Sequence, residues 1–186
     1  TWEISWDNHK FRKSLIFKTW TKAMFILYTI LHLMTLVAHS LIAVAIASKY
    51  NNPFVGLPLV LISHFVVDKI PHWDVMTNKN KTHRQIAFGT FIDIFSGFLL
   101  AGIFNIFFLN SAVNPLYFLT SVALCQFPDL FEAPHRIFNI YIPGSEIDYK
   151  FQKWIHDVGF DSRLCAPWGV ITQILTVGVF LLWAIS

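Results

Sequence analysis

Five stretches with few or no charged residues divide the chain. Met24–Ser48 carries no full charge over 25 residues, enough helix to cross a bilayer with some tilt. Ile86–Leu109 holds a single charge, Asp93, and Trp168–Ile185 is uncharged to its end. Two stretches are shorter. Gly56–Ile70 has Asp68 and Lys69 near its end, and Leu116–Phe127 needs Pro128–Ala133 to reach spanning length. The pattern predicts an all-α, polytopic membrane helical bundle of about five helices, three full-length and two short.

Two further segments are amphipathic. Residues 1–22 interleave Trp2, Trp6, Phe11, Leu15 and Trp20 with Lys and Arg, the pattern of a basic arm lying in a membrane interface. A single membrane helical domain is expected over residues 23–186. Within it, Glu146–Asp157 sets Ile147, Phe151, Trp154 and Ile155 at helical spacing, which predicts a second interfacial helix.

Composition agrees with this pattern. Of 186 residues, 55% are hydrophobic and 13% charged, with mean hydropathy +0.53; ordinary soluble domains are about 45–50% apolar and about 25% charged. If the N-terminal Lys10, Arg12, Lys13, Lys18 and Lys22 are cytoplasmic, five crossings put every other basic residue except Lys49 on the same side. That bias predicts a cytoplasmic N-terminus. The net charge of +3 then suits anionic lipid at the cytoplasmic surface. No pattern for binding nucleic acid occurs. Cys125 and Cys165 form no pair motif, so neither a disulfide framework nor redox chemistry is expected.

Ionisable side chains inside a span cost roughly 2.5–3.5 kcal/mol on insertion scales and are therefore candidates for function. The densest run is Ser63-His64-Phe65-Val66-Val67-Asp68-Lys69-Ile70-Pro71-His72-Trp73-Asp74. His64 and Asp68, four apart, share one helix face, a spacing at which imidazole and carboxylate can hold one ion. Pro71 should end the helix and bring His72 and Asp74 to its cytoplasmic mouth. The alternative is a His–Asp hydrogen bond that neutralises a buried acid. At 1.5 Å per residue, Asp68 and His64 lie about 5 and about 11 Å below that end, and Asp93 about 10 Å deep in the returning helix. These groups are expected to reach one ion, with His39 the fourth member and Asp129 approaching the same level. Asp93 has the alternative of staying protonated and bonding a neighbouring helix. Asp129, after Pro128, has that of a helix cap. His32 and His39 could instead make helix–helix hydrogen bonds. His156 is a further candidate, with Asp148 and Gln152 near its helical face, whereas exposed His83 and His135 are expected to be solvated.

His64-x3-Asp68-x2-Pro71-His72-Trp73-Asp74, with Ala38-His39-Ser40 before it and Asp93, Phe127-Pro128-Asp129 and Pro167-Trp168-Gly169-Val170-Ile171-Thr172-Gln173 after it, resembles the bacterial and archaeal membrane-bound metal-dependent hydrolases. That family is distantly similar to the zinc-dependent phospholipase C fold. The resemblance spans roughly residues 35–180 and implies a prokaryotic plasma-membrane protein with His39, His64, Asp68, Asp93, Asp129 and His156 as ligands. The chain departs from the pattern in its long basic arm. It also has Asn51-Asn52-Pro53 where members carry a second acidic cluster.

The expectation is thus a metal-dependent hydrolase acting on a lipid-like phosphoester at the cytoplasmic leaflet. A His/Asp site suits Zn²⁺ or Mn²⁺, and Asp74 and His72 are the candidate acid–base pair. The alternative is a non-catalytic membrane subunit or scaffold whose aromatic-rich helices pack against partner subunits.

Overall fold

Asn and Pro begin two of the helices. Asn52 Oδ1 accepts from the Phe54 N–H at 3.0 Å ahead of Pro53. Asn114 Oδ1 accepts from the Leu116 N–H at 2.9 Å ahead of Pro115. In both, the side chain satisfies a donor the first turn leaves free, and proline fills a position whose missing N–H costs nothing. A third helix starts on a capping box: the Gln85 N–H donates to Thr82 Oγ1 while the Thr82 N–H donates to Gln85 Oε1.

The computed structural model describes residues 35–72, 82–109, 112–159, 164 and 167–186. The described residues form six helices and no strand: α1 (Thr35–Lys49), α2 (Pro53–Lys69), α3 (His83–Phe107), α4 (Pro115–Phe138), α5 (Ser145–Asp157) and α6 (Trp168–Ile185). The arm over residues 1–22, His32, Trp73 and Asp74 lie outside them.

Helix α1 is the centre. It packs against α2, α3, α4 and α6, and Ala43, Val44, Ala45 and Ala47 are wholly enclosed. Its small side chains let neighbouring backbones approach closely. One face joins Ala101 and Phe104 of α3 and Val122 of α4. The other joins Val60 and Val67 of α2, Cys125 of α4 and Val177 of α6. Where α1, α3 and α4 cross, the Gln126 amide donates to Ser40 Oγ at 2.6 Å, and Ser40 Oγ donates to the Leu36 carbonyl at 2.6 Å. Gly97 is required at this crossing, because a Cβ there would stand 2.5 Å from Ser40 Oγ and 2.7 Å from Gln126 Nε2.

Large apolar side chains point outward. Phe88, Phe91, Phe95 and Leu99 of α3 are exposed, as are Ile174, Leu175, Val179 and Leu182 of α6. These two helices are long and apolar enough to cross a membrane. The other three stretches expected as spans fall in α1, α2 and α4, whose described residues do not meet the same length and hydropathy. The described part of α1 has 15 residues; α2 has 17 and stops at Lys69, since Ile70, preceding Pro71, is extended. Helix α4 reaches 24 residues only by running through Pro128, Asp129, Glu132 and Pro134. It closes on Asn139, whose left-handed conformation (φ 55°) turns the next N–H, that of Ile140, back to the Pro134 carbonyl at 3.1 Å.

The amphipathic segment does form a helix. In α5, Ile147, Phe151 and Trp154 are exposed while Ser145 and Gln152 are buried. The helix packs its inner face on α2 and α4.

Candidate metal centre

The centre is built around Asp68, the penultimate residue of α2. Its Oδ1 lies 3.0 Å from Nε2 of His39 on α1, and its Oδ2 lies 3.2 Å from Nε2 of His64 on its own helix. The expected four-residue spacing therefore places His64 and Asp68 side by side. His39 arrives from the neighbouring helix because His39-Ser40 sits where α1 presses on α2 and α4. All three side chains are at least 95% enclosed. The two imidazoles are tilted against each other, with centroids 4.5 Å apart and planes inclined by 35°.

A carboxylate withdrawn from water needs compensation from opposite charge or hydrogen bonds. Two imidazoles supply it here, yet the rings are not themselves satisfied. His39 Nδ1 and both ring nitrogens of His64 are buried without a well-formed hydrogen bond. Buried polar atoms in native proteins are nearly always paired, so orphaned ones call for an explanation such as an ion.

Asp129 comes from α4, with Oδ1 3.9 Å from His64 Nε2 and its side chain 28% exposed. It is not a helix cap, because Pro128 and Asp129 fall mid-helix. One turn earlier on the same helix, Cys125 brings its thiol to the cluster, donating to the His39 carbonyl at 3.4 Å. Ligand atoms of His39, His64 and Cys125 all lie within 4.8 Å of one another. Cys125, lacking a pair motif, gave no sign of this role beyond Cys125-x3-Asp129, which repeats the spacing of His64-x3-Asp68.

Asp68 also belongs to a second group. Its carboxylate and the rings of His72 and His156 have ligand atoms within 4.8 Å of one another. His72 Nδ1 is 2.8 Å from the Ile70 carbonyl. With the proton on Nδ1, Nε2 is left as the coordinating nitrogen, an arrangement usual for metal-binding histidines. The segment carrying His72 is anchored on both sides, with Thr172 Oγ1 donating to the Pro71 carbonyl and the Leu164 N–H to the His72 carbonyl. His156 is brought in by α5, and Lys69 Nζ donates to its backbone carbonyl at 3.2 Å. It reaches the group because α5 packs against α2 and α4. On the same helix, Gln152 Nε2 donates to Asp148 Oδ2 at 3.0 Å. Burial nevertheless holds Asp148 above the usual carboxylate range, the Gln152 bond opposing it. A cavity of about 10 Å³, bordered by His39, His72, Gln173 and Thr176, adjoins both groups; it has room for about one water molecule.

Asp93 joins neither group. Its two oxygens accept from the backbone N–H groups of Leu36 at 3.0 Å and Val37 at 3.3 Å. A carboxylate on α3 thus caps α1, satisfying donors of its first turn and opposing the positive end of its dipole. Depth had grouped Asp93 with His64 and Asp68, but the direction in which α3 presents it leads to the start of α1. His83 is exposed, as expected, while His135 is half-buried and near Tyr149.

Compared with protein-family models, curated proteins and solved structures, the chain matches none.

Proposed function

We propose that this protein is a membrane-embedded, metal-dependent hydrolase acting on a lipid-like phosphoester at the cytoplasmic leaflet. The observation that carries the reading is the buried carboxylate of Asp68 gripped by two imidazoles that retain unsatisfied ring nitrogens. His39, His64, Asp68, His72 and His156 are the residues that would hold a divalent cation. Their nitrogen and oxygen donors suit Zn²⁺ or Mn²⁺. Such an ion supplies Lewis acidity and lowers the pKa of bound water. Asp129 is the partly exposed carboxylate beside the cluster and is placed to take a proton from water.

Three features support a site at a membrane surface. Helices α3 and α6 are long and apolar enough to cross a bilayer. Their outward faces carry more exposed aromatic and aliphatic surface than a water-soluble monomer tolerates. Finally, α5 turns Ile147, Phe151 and Trp154 outward while its His156 reaches the cluster, as an interfacial helix roofing the site would. In this reading α1, α2 and α4 complete a five-span bundle.

The test is metal analysis of the full-length protein purified in mild detergent. Stoichiometric transition metal that disappears in His64→Ala is the expected result. A metal-free wild type that co-purifies with partner subunits would overturn the reading in favour of a scaffold.

A further inference from the structure

Cys125 has no place among the nitrogen and oxygen donors just described, yet its position is specific. It is fully enclosed, sits on α4 one turn before Asp129, and has no second cysteine beside it among the described residues. Its Sγ lies within 4.8 Å of a ring nitrogen of both His39 and His64. Those rings are the ones with unsatisfied nitrogens: Asp68 lies against Nε2 of both, at 3.0 and 3.2 Å, and Nδ1 of each is buried without a well-formed hydrogen bond. Asp68 therefore stands to these imidazoles as a carboxylate stands to histidines that coordinate through their other nitrogen.

We infer that Cys125 is a ligand of the metal centre, completing a His39–His64–Cys125 set oriented by Asp68. The inference rests on the metal-centre reading and deepens it by selecting the ion. Carboxylate and imidazole donors alone can hold either Zn²⁺ or Mn²⁺, whereas a thiolate favours Zn²⁺ and disfavours hard cations. Ligation exchanges the Sγ–H bond for an Sγ–metal bond. The thiol gives up its hydrogen bond to the His39 carbonyl, and one proton per ion passes to solvent.

Cobalt titrated into the metal-stripped, full-length protein in detergent micelles tests this without reference to activity. Wild type should develop visible d–d absorption together with a thiolate-to-cobalt charge-transfer band in the near ultraviolet. The band should persist in Cys165→Ser and fall to baseline in Cys125→Ser, while the d–d absorption of Cys125→Ser remains. A wild type with d–d absorption but no charge-transfer band overturns the Cys125 assignment and leaves the metal centre standing. So does a band that survives Cys125→Ser or vanishes in Cys165→Ser. No d–d absorption at all sinks the metal centre, and this inference with it. Should Cys125→Ser fail to fold, zinc X-ray absorption of Cys165→Ser decides the matter: one sulfur in the first shell supports the assignment, and none refutes it.

Discussion

Replacing Asp93 by alanine separates a helix cap from a metal ligand. The carboxylate accepts from two backbone N–H groups at the start of α1, 3.0 and 3.3 Å away, and it is 2% exposed. A hydrogen bond to a charged group contributes about 1.5–3 kcal/mol, and a buried donor left without a partner costs about 1–3 kcal/mol. The 3.3 Å bond sits at the weak end, so about 2–4 kcal/mol is the expected total loss. For a chain of this size a kilocalorie shifts the melting midpoint by about 2–4 °C, which makes the expected drop about 4–16 °C. Asp93→Asn keeps one acceptor oxygen but not the charge that opposes the helix dipole, and should lose roughly half as much. Thermal unfolding in detergent, followed by circular dichroism, reads the shift. Metal content of the same variants at low temperature reads the alternative. Unchanged melting together with lost metal would refute the capping argument and return Asp93 to the ligand set.

Two further perturbations probe the packing that holds the centre together. Gly97→Ala should destabilise the bundle by about 1–3 kcal/mol, as overpacking does, because the new methyl would press on Ser40 and Gln126. Gly102→Ala on the same helix meets nothing closer than Phe118 at 3.7 Å; it should be neutral or gain up to about 1 kcal/mol of helix propensity. Equal melting of the two variants would count against the close crossing of α1, α3 and α4. Tyr117→Phe removes the hydroxyl that donates to the Tyr50 carbonyl at 2.8 Å. It should cost about 0.5–1.5 kcal/mol and leave metal content unchanged, since this bond lies at the opposite end of α1 from Asp93.

The sequence by itself determined whatever depends on residues within a turn of one another. Asn52-Pro53, Asn114-Pro115 and the Thr82/Gln85 pair begin helices by local hydrogen bonds. Pro71 ends α2 by forcing its predecessor to be extended, and His64-x3-Asp68 shares a face because 3.6 residues make a turn. The amphipathic spacing in α5 was equally legible, since one of its faces is polar. Tertiary structure alone decided which helix is central and where the remaining candidates go. Helix α1 is apolar on every side, and so is the outward face of α3. When core and surroundings are both apolar, the periodicity that tells inside from outside is erased. Depth along a helix could be counted from the sequence, but the direction in which a side chain leaves it could not. So Asp93 and His64 were assigned to one level, yet packing sends Asp93 to the first turn of α1. Asp129, Cys125 and His156 are brought to Asp68 by contacts between helices distant in sequence, which no local spacing encodes.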